Sequence, residues 1–231
     1  MNKGGSNVLR VEGVAVGYGR DQSVIEQADM CLDHGAVHLL IGRNGAGKST
    51  LLRAMAGLHP LQKGRILVND HSIHALTDKE RAAWVAYVAS TPPRTSQLRV
   101  GEVLELAAKD RSEVTAMLSA FGEERWWDRR LDTLSDGEAQ RVMFARALLQ
   151  NTPWVFMDEP TAFLDVPSKR TFWNHLAVAA ERGQSLILAT HDYEHLVSRG
   201  AVDSVHLIHR GALQAVEAHA APDEWTQMME S

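Results

Sequence analysis

One nine-residue segment constrains this chain more than any other. The apolar run Val37 to Ile41 leads directly into Gly42-Arg43-Asn44-Gly45-Ala46-Gly47-Lys48-Ser49-Thr50, which fits the pattern G-x-x-x-x-G-K-[ST] and precedes a run of good helix formers. Glycines let backbone N–H groups turn towards phosphate oxygens, and the start of the following helix adds partial positive charge. A Gly-rich turn with an incidental lysine is the alternative. The strand before the segment and the helix after it favour a phosphate-binding loop.

The last residues of this loop have distinct expected roles. Lys48 should reach the β- and γ-phosphates of a nucleotide, Ser49 should place its hydroxyl on Mg²⁺, and Thr50 should contact the α-phosphate. We therefore predict a nucleotide–Mg²⁺ site. The loop residues expected to contact the nucleotide are Gly42, Arg43, Asn44, Gly45, Ala46, Gly47, Lys48, Ser49 and Thr50.

A second strand-like run ends in two acids. The apolar run Trp154 to Met157 is followed directly by Asp158 and Glu159. At such a strand end Asp158 would hold Mg²⁺ through water, and Glu159 would polarise an attacking water or accept its proton. A pair of solvated carboxylates is the alternative. The phosphate-binding loop upstream favours the catalytic interpretation.

The order of predicted elements indicates an α/β fold. Three strand-like runs, Val8 to Val16, Val24 to Leu32 and Val37 to Ile41, predict an antiparallel β layer at the start of the chain. Later, the short apolar runs Trp154 to Met157 and Ser185 to Thr190 flank a helix-like stretch. That arrangement is typical of a βαβ unit with buried parallel strands.

The middle of the chain has a different pattern. From Val100 to Gln150 apolar residues recur at helical spacing, which predicts a helical subdomain inserted into the α/β core. Within it, Leu134 to Arg141 leads into a helix. Ser135 is a good N-cap and Glu138 follows three residues later, so a capping box that only starts a helix is one interpretation.

The three segments together support a second interpretation. The phosphate-binding loop, Leu134 to Arg141 and Asp158-Glu159 resemble the ATP-binding subunit of an ABC transporter, whose signature motif is Leu-Ser-Gly-Gly-Gln/Glu. The resemblance runs from about Val8 to about Leu213. It implies a P-loop NTPase of ABC type, a mixed β core with an antiparallel β layer and an inserted α-helical subdomain. The implied single domain covers 1–231, with the core at 1–91 and 151–231 and the helical subdomain at 92–150.

The same resemblance implies further site residues. Tyr18 matches the aromatic that stacks on adenine, and His191, after a buried strand, matches a histidine that touches the γ-phosphate. Either residue could instead be an ordinary polar loop residue. Ser135 and Gly137 would contact the γ-phosphate held by another subunit, and Asp165 matches an aspartate at the subunit junction. The expected catalytic residues are then Glu159, His191 and Lys48.

Two positions depart from the family pattern. Asp136 stands where the family usually has glycine, which puts a carboxylate near a triphosphate. Ser90 stands where a glutamine normally senses Mg²⁺ and couples to the transporter. Serine is shorter but can still bind Mg²⁺ through water, so Ser90 joins Ser49 and Asp158 as an expected metal-site residue.

The resemblance also implies partners. A second copy should pair head to tail with the first and sandwich two ATP molecules, and integral membrane permease subunits and, indirectly, a substrate-binding protein should complete the assembly. The motifs look most like ATPases of importers for iron chelates, haem or cobalamin. A soluble ABC-type ATPase of the iron–sulfur assembly type and an exporter ATPase are the alternatives.

Composition limits the location and the partners. The formal net charge of −5 gives no general attraction to nucleic acid or anionic lipid, so no nucleic-acid partner is expected. Cys31 is the only cysteine, which excludes an intramolecular disulfide. The polar start, Met1 to Val8, predicts no secretory signal, and no apolar run approaches about 18 residues. We expect a peripheral protein on the cytoplasmic side of the cell membrane.

Overall fold

Strands and helices alternate through the computed structural model, which describes residues 8–19, 22–93, 95–193, 196–197, 200–218 and 222–230. The strands are β1 (Val8–Gly17), β2 (Ser23–Asp33), β3 (Val37–Gly42), β4 (Lys63–Val68), β5 (His71–Ser72), β6 (Val85–Val88), β7 (Trp154–Asp158), β8 (Ser185–Ala189), β9 (Ser204–His209) and β10 (Ala212–Val216). The helices are α1 (Lys48–Met55), α2 (Asp78–Ala82), α3 (Val100–Glu105), α4 (Arg111–Ala120), α5 (Asp136–Leu149), α6 (Val166–Glu181) and α7 (Pro222–Glu230). No helix in these ranges combines the length and the apolar composition needed to cross a membrane.

One sheet with two differently built parts contains all these strands. Its strand order is β5-β4-β1-β2-β10-β9-β3-β8-β7-β6. Strands β1, β2, β4 and β5 pair antiparallel, whereas β9, β3, β8, β7 and β6 run parallel. Strand β10 joins the two parts, because it pairs antiparallel with β9 and meets β2 in parallel at Ala212 and Gln27.

The run Val37 to Ile41 does not belong to the antiparallel layer, contrary to the sequence prediction. As β3 it pairs in parallel with β8 and β9, and all six of its residues are buried. A strand covered on both faces is apolar along most of its length, so its side-chain pattern carries no sign of the direction of its neighbours. The prediction failed because it relied on closeness in sequence to two antiparallel strands.

Three apolar clusters hold the helices in place. One packs α1 against one face of the sheet, and the second packs α6 and one side of α5 against the other face. The third joins α3, α4 and another side of α5 within residues 92–150. Helix α5 therefore contributes to two clusters, with Ala139 and Val142 in the third and Phe144 and Ala147 in the second. The boundary of the helical subdomain at residue 150 stays a prediction.

Two buried histidines lie where β3 and β9 begin, at the edge of the sheet opposite the phosphate-binding loop. The carbonyl of Asp33 can only accept, so the Nε2–H of His38 donates to it (2.9 Å) and Nδ1 accepts from the Ser204 hydroxyl (2.7 Å). The Nε2 of His206 lies 3.1 Å from the same hydroxyl. Burial lowers the pKa of both rings, and burial with the nearby charge of His38 lowers the pKa of His206 to about 4.

These lowered pKa values make stability depend on pH. Below the ordinary histidine pKa of 6.5 these histidines bind protons in the unfolded chain but stay neutral in the folded chain. We therefore expect the free energy of unfolding to fall as pH falls from about 6.5 to about 4. His206→Gln should reduce that slope by up to about 1.4 kcal/mol per pH unit. Urea unfolding of both proteins at several pH values measures the difference. Equal slopes in the two proteins would contradict the assignment to His206.

Candidate functional site

The phosphate-binding loop closes on a glycine that no other residue can replace without strain. Gly47 is the N-cap of α1 and has a φ of 104°, in the left-handed region. A Cβ added there would lie 2.6 Å from Cγ1 of Val24, which is too close for two carbon atoms. The Ala46 N–H donates to the Arg43 carbonyl (3.1 Å) and so forms the turn before the helix. The loop and the start of α1 thus have the conformation that anion binding at a helix N-terminus requires.

The Lys48 ammonium is folded back over this loop. Its Nζ donates to the carbonyls of Gly42 (2.9 Å) and Arg43 (3.3 Å), and it lies 3.8 Å from Oε1 of Glu159. The side chain is only 7% exposed. Its two hydrogen-bond partners are neutral carbonyls, and the Glu159 carboxylate lies beyond hydrogen-bond distance, so a phosphate that enters the loop could take the place of that carboxylate beside the ammonium.

A buried carboxylate lies next to the loop. Asp158, at the end of β7, is fully buried, and its Oδ1 accepts from the Ser49 hydroxyl at 2.8 Å. Its Oδ2 is also buried and has no hydrogen-bond partner among the described residues. A buried oxygen without a partner is costly unless another group satisfies it. Hard carboxylate and hydroxyl oxygens are the ligands that Mg²⁺ prefers, so these two residues fit such an ion.

Two neighbours of Asp158 were not predicted from sequence. Tyr87 of β6 pairs in register with Phe156, two residues before Asp158 in the adjacent strand, and the Nε–H of Arg53 donates to the Tyr87 hydroxyl at 3.4 Å. Burial and the negative charge of Asp158 raise the pKa of Tyr87 to about 12. No sequence signal could have revealed that Tyr87 lies near Asp158, because only the pairing of β6 with β7 brings these two distant parts of the chain together.

Glu159 joins the loop to the segment after β8. Its backbone has a φ of 44°, a left-handed conformation that is uncommon outside glycine and is often found at functional sites. Its Oε2 lies 2.8 Å from Nδ1 of His191 and also accepts from the His191 backbone N–H at 3.3 Å. The contact forms because β7 and β8 are parallel neighbours, with Asp158 opposite Ala189. Lys48, Ser49, Asp158, Glu159 and His191 are called the strand-end cluster below.

Tyr18 lies at the other end of the loop. Its hydroxyl is 3.1 Å from Oγ1 of Thr50, its side of the loop is open to solvent, and 58% of the residue is exposed. The ring meets His59 edge-on at 5.6 Å, beside a cavity of about 490 Å³ lined by residues 17–19 and 59–62. An exposed ring beside an open cavity could stack on a planar base. Stacking on adenine stays a prediction.

Three other predicted residues form a separate group, called the helix-start group. Ser135 caps α5 in a complete capping box with Glu138, and Asp165 caps α6 by accepting from the Ser168 N–H at 2.9 Å. Gly137 brings the two helix starts together, because a Cβ there would lie 2.6 Å from the Phe163 carbonyl. In the described part of the chain, the hydrogen bonds and ion pairs of Ser135 and Asp165 do not reach the strand-end cluster.

Ser90 follows β6 in a half-buried position. The carbonyl of its neighbour Ala89 accepts from the Gln140 side chain of α5 at 3.1 Å, and Gln140 is almost fully buried. The segment after β6 is thus tied to the same helix that begins at Ser135. A role of Ser90 in metal binding stays a prediction.

Comparison with known proteins agrees with this arrangement. The model of the family described as "ABC transporter" matches residues 25–162. The iron(3+)-hydroxamate import ATP-binding protein of Bacillus subtilis is 31% identical over 202 residues, which cover 82% of this chain and 75% of that protein. The achromobactin transport ATP-binding protein of Dickeya dadantii is 31% identical over 192 residues, which cover 78% and 71%.

A solved structure described as the ATP-binding subunit of an ABC transporter matches nearly the whole chain. It superposes with a TM-score of 0.85 at 27% identity, and the match covers 97% of this chain and all of that one. This likeness confirms the fold class predicted from the sequence.

The N-cap role of Ser135 can be separated from any role of its hydroxyl in binding. Ser135→Ala should lower the free energy of unfolding by about 1 kcal/mol, because alanine leaves the helix N–H groups unsatisfied, whereas Ser135→Gly should lower it by only a few tenths. Chemical denaturation of the three proteins measures this. Equal stabilities of the alanine variant and the parent would show that the cap contributes nothing.

Proposed function

The chain belongs to the ABC transporter family, as an ATP-binding subunit that hydrolyses ATP, and on that premise we propose that the strand-end cluster is its hydrolytic half-site. The observation that carries this proposal is the convergence of Lys48, Asp158, Glu159 and His191 at the carboxyl ends of parallel strands. Ligands of open α/β sheets bind at that edge.

Each residue of the cluster has a distinct part in hydrolysis. The loop N–H groups and Lys48 bind the β- and γ-phosphates and stabilise the charge that develops as the terminal P–O bond breaks. Glu159 orients the attacking water and accepts its proton, and its 2.8 Å contact with the ring of His191 holds its carboxylate. His191 in turn contacts the γ-phosphate. The products are ADP and inorganic phosphate.

We propose Mg²⁺ as the accompanying ion, held by Ser49 and Asp158. The unpartnered Oδ2 of Asp158 and the 2.8 Å bond between the two side chains support the proposal. Among the described residues no three His, Cys, Asp or Glu side chains cluster as metal ligands. That agrees with an ion bound through few protein oxygens and completed by phosphate and water. Bound Mg²⁺ would neutralise charge on the phosphate oxygens, and Ser90 would contribute through water.

A second copy of the chain would complete each site. The helix-start group makes its bonds away from the strand-end cluster, so a head-to-tail pair could bring Ser135, Gly137 and Asp165 of one copy to the ATP held by the other. Such a pair has a two-fold, isologous interface and contains two ATP molecules. ATP would then hold the pair together, and its hydrolysis would release it.

The cargo we propose is an iron chelate, moved inwards through integral membrane permease subunits. The names of the Bacillus and Dickeya relatives, which are import and transport ATP-binding proteins, support this choice. A substrate-binding protein would deliver the chelate, and the ATPase would lie at the cytoplasmic face of the membrane. A soluble ATPase of the iron–sulfur assembly type and an exporter ATPase are the competing assignments.

Replacement of the proposed general base tests the chemistry. Glu159→Gln keeps the size of the side chain but cannot accept a proton, so we expect the rate of ATP hydrolysis to fall about 10²- to 10⁴-fold while ATP affinity stays within about threefold. Phosphate release and equilibrium binding of a fluorescent ATP analogue measure the two quantities. Glu181→Gln, at the end of α6, is the matched control and should hydrolyse ATP normally. Unchanged turnover in Glu159→Gln would refute the assigned role.

The cargo can be tested with the permease whose gene lies nearest to the gene of this protein. Co-purified complexes in lipid nanodiscs should show ATP hydrolysis stimulated at least about threefold by a ferric hydroxamate and its binding protein. Zinc, haem and cobalamin with their own binding proteins serve as competitors. Stimulation by one of these alone would overturn the iron-chelate assignment, and failure to assemble with any permease would favour the soluble ATPase.

A further inference from the structure

The carboxylate of Asp192, the residue after His191, is held by groups from two other segments. We propose that Asp192 is a positioning residue, which holds the backbone of His191 so that its ring stays against Glu159. The inference rests on the proposed function, because it assumes that Glu159 and His191 take part in hydrolysis.

The contacts of Asp192 come from three directions. Its carboxylate lies 2.6 Å from Nζ of Lys169 on α6, and its Oδ2 accepts from the hydroxyl of Thr161 at 3.0 Å. Its backbone N–H donates to Oγ1 of Thr190 at 3.0 Å. Thr161 is 1% exposed, so the hydroxyl that meets Asp192 is fixed within the protein. An ion pair reinforced by hydrogen bonds from fixed groups is stronger than an isolated surface pair.

Two short segments are thereby joined at several points, because the Glu159 N–H also donates to the Ala189 carbonyl at 2.7 Å. Glu159 bonds to His191, and Thr161, two residues after Glu159, bonds to Asp192. The His191 side chain is 67% exposed, and an exposed pair of this kind is worth little by itself because solvent competes for both groups. This second side-chain bond, between Thr161 and Asp192, adds a restraint on the backbone directly after His191. Lys169 then anchors this second bond to α6.

This arrangement has a specific consequence for catalysis. The bonds of Asp192 described above go to Thr161, Thr190 and Lys169, and none of them goes to the phosphate-binding loop. Its loss should therefore leave ATP binding intact and affect only the step that requires the Glu159 and His191 geometry. Misplacement of a reacting group by about 1 Å can slow a reaction by up to about a hundredfold.

A double-mutant cycle in the full-length protein tests the proposal. We expect Asp192→Ala to lower kcat for ATP hydrolysis about tenfold, with KM for ATP within about twofold of the parent. In a His191→Ala background the same change should lower kcat by less than twofold, because a positioning residue has no effect once the residue it positions is absent. Asp192→Asn keeps an oxygen that can accept from Thr161 and should recover part of the rate.

Asp29→Ala is the matched control. Asp29 lies in β2, and its exposed carboxylate accepts from the Gly13 N–H and the Gln27 amide, not from the phosphate-binding loop. Its loss should therefore leave kcat unchanged. Thermal unfolding of every variant, with and without ATP, separates loss of fold from loss of rate.

The outcomes separate the inference from the proposed function. If His191→Ala is slow but Asp192→Ala is not, or if Asp192→Ala slows the His191→Ala protein as strongly as the parent, the positioning role is wrong and the hydrolytic site stands. If His191→Ala hydrolyses ATP at the parent rate, the role of His191 fails and the inference fails with it. A loss of rate that vanishes in the His191→Ala background supports the inference.

Discussion

Parallel pairing of β3, β8 and β7 is the constraint on which the site depends. Parallel strands end at the same edge of a sheet, so the phosphate-binding loop after β3, the acids after β7 and His191 after β8 meet there although they are far apart in the chain. Burial of the mostly apolar side chains of these strands drives the formation of this part of the sheet. If these side chains were exposed to solvent, the strand ends would no longer be held together. The chemistry at this edge is therefore a product of packing beneath it.

Most of the charged side chains at this edge of the sheet contact a group that compensates their charge. Lys48 lies near Glu159, Ser49 donates to Asp158, and His191 contacts Glu159, so most charged atoms have a partner of suitable kind. Pairs of this kind add little net stability, because desolvation offsets most of their attraction. These pairs instead fix the orientation of the side chains. The left-handed backbone at Glu159 is strained, and strain of this kind is typical of functional sites. The Oδ2 of Asp158 has no hydrogen-bond partner among the described residues, and a bound ligand would supply one.

Contacts between the helices and the core give a physical basis for communication within one chain. Helix α5 begins after the Ser135 cap, bonds through Gln140 to the segment after β6, and packs one side in the cluster on the sheet and another side in the helical subdomain. A displacement of this helix would therefore change its contacts with both the helical subdomain and the sheet, since packed interiors have few voids and transmit strain. Asp165 caps the start of α6, and Asp192 pairs with Lys169 of the same helix, so α6 is also linked to the His191 segment.

The sequence by itself determined the fold class, through the order of its predicted elements and the resemblance of three separate segments to one family. It also located the loop with Lys48 and Ser49 and the acids at the end of β7, because each of these is a local pattern formed by neighbours in the chain. The direction of β3, by contrast, was wrongly predicted, since a strand buried on both faces carries no record of its partners. Only the tertiary structure decided that Tyr87 lies beside Asp158 and that Thr161 and Lys169 hold Asp192. Those contacts join segments distant in sequence, so they follow from strand order and helix packing.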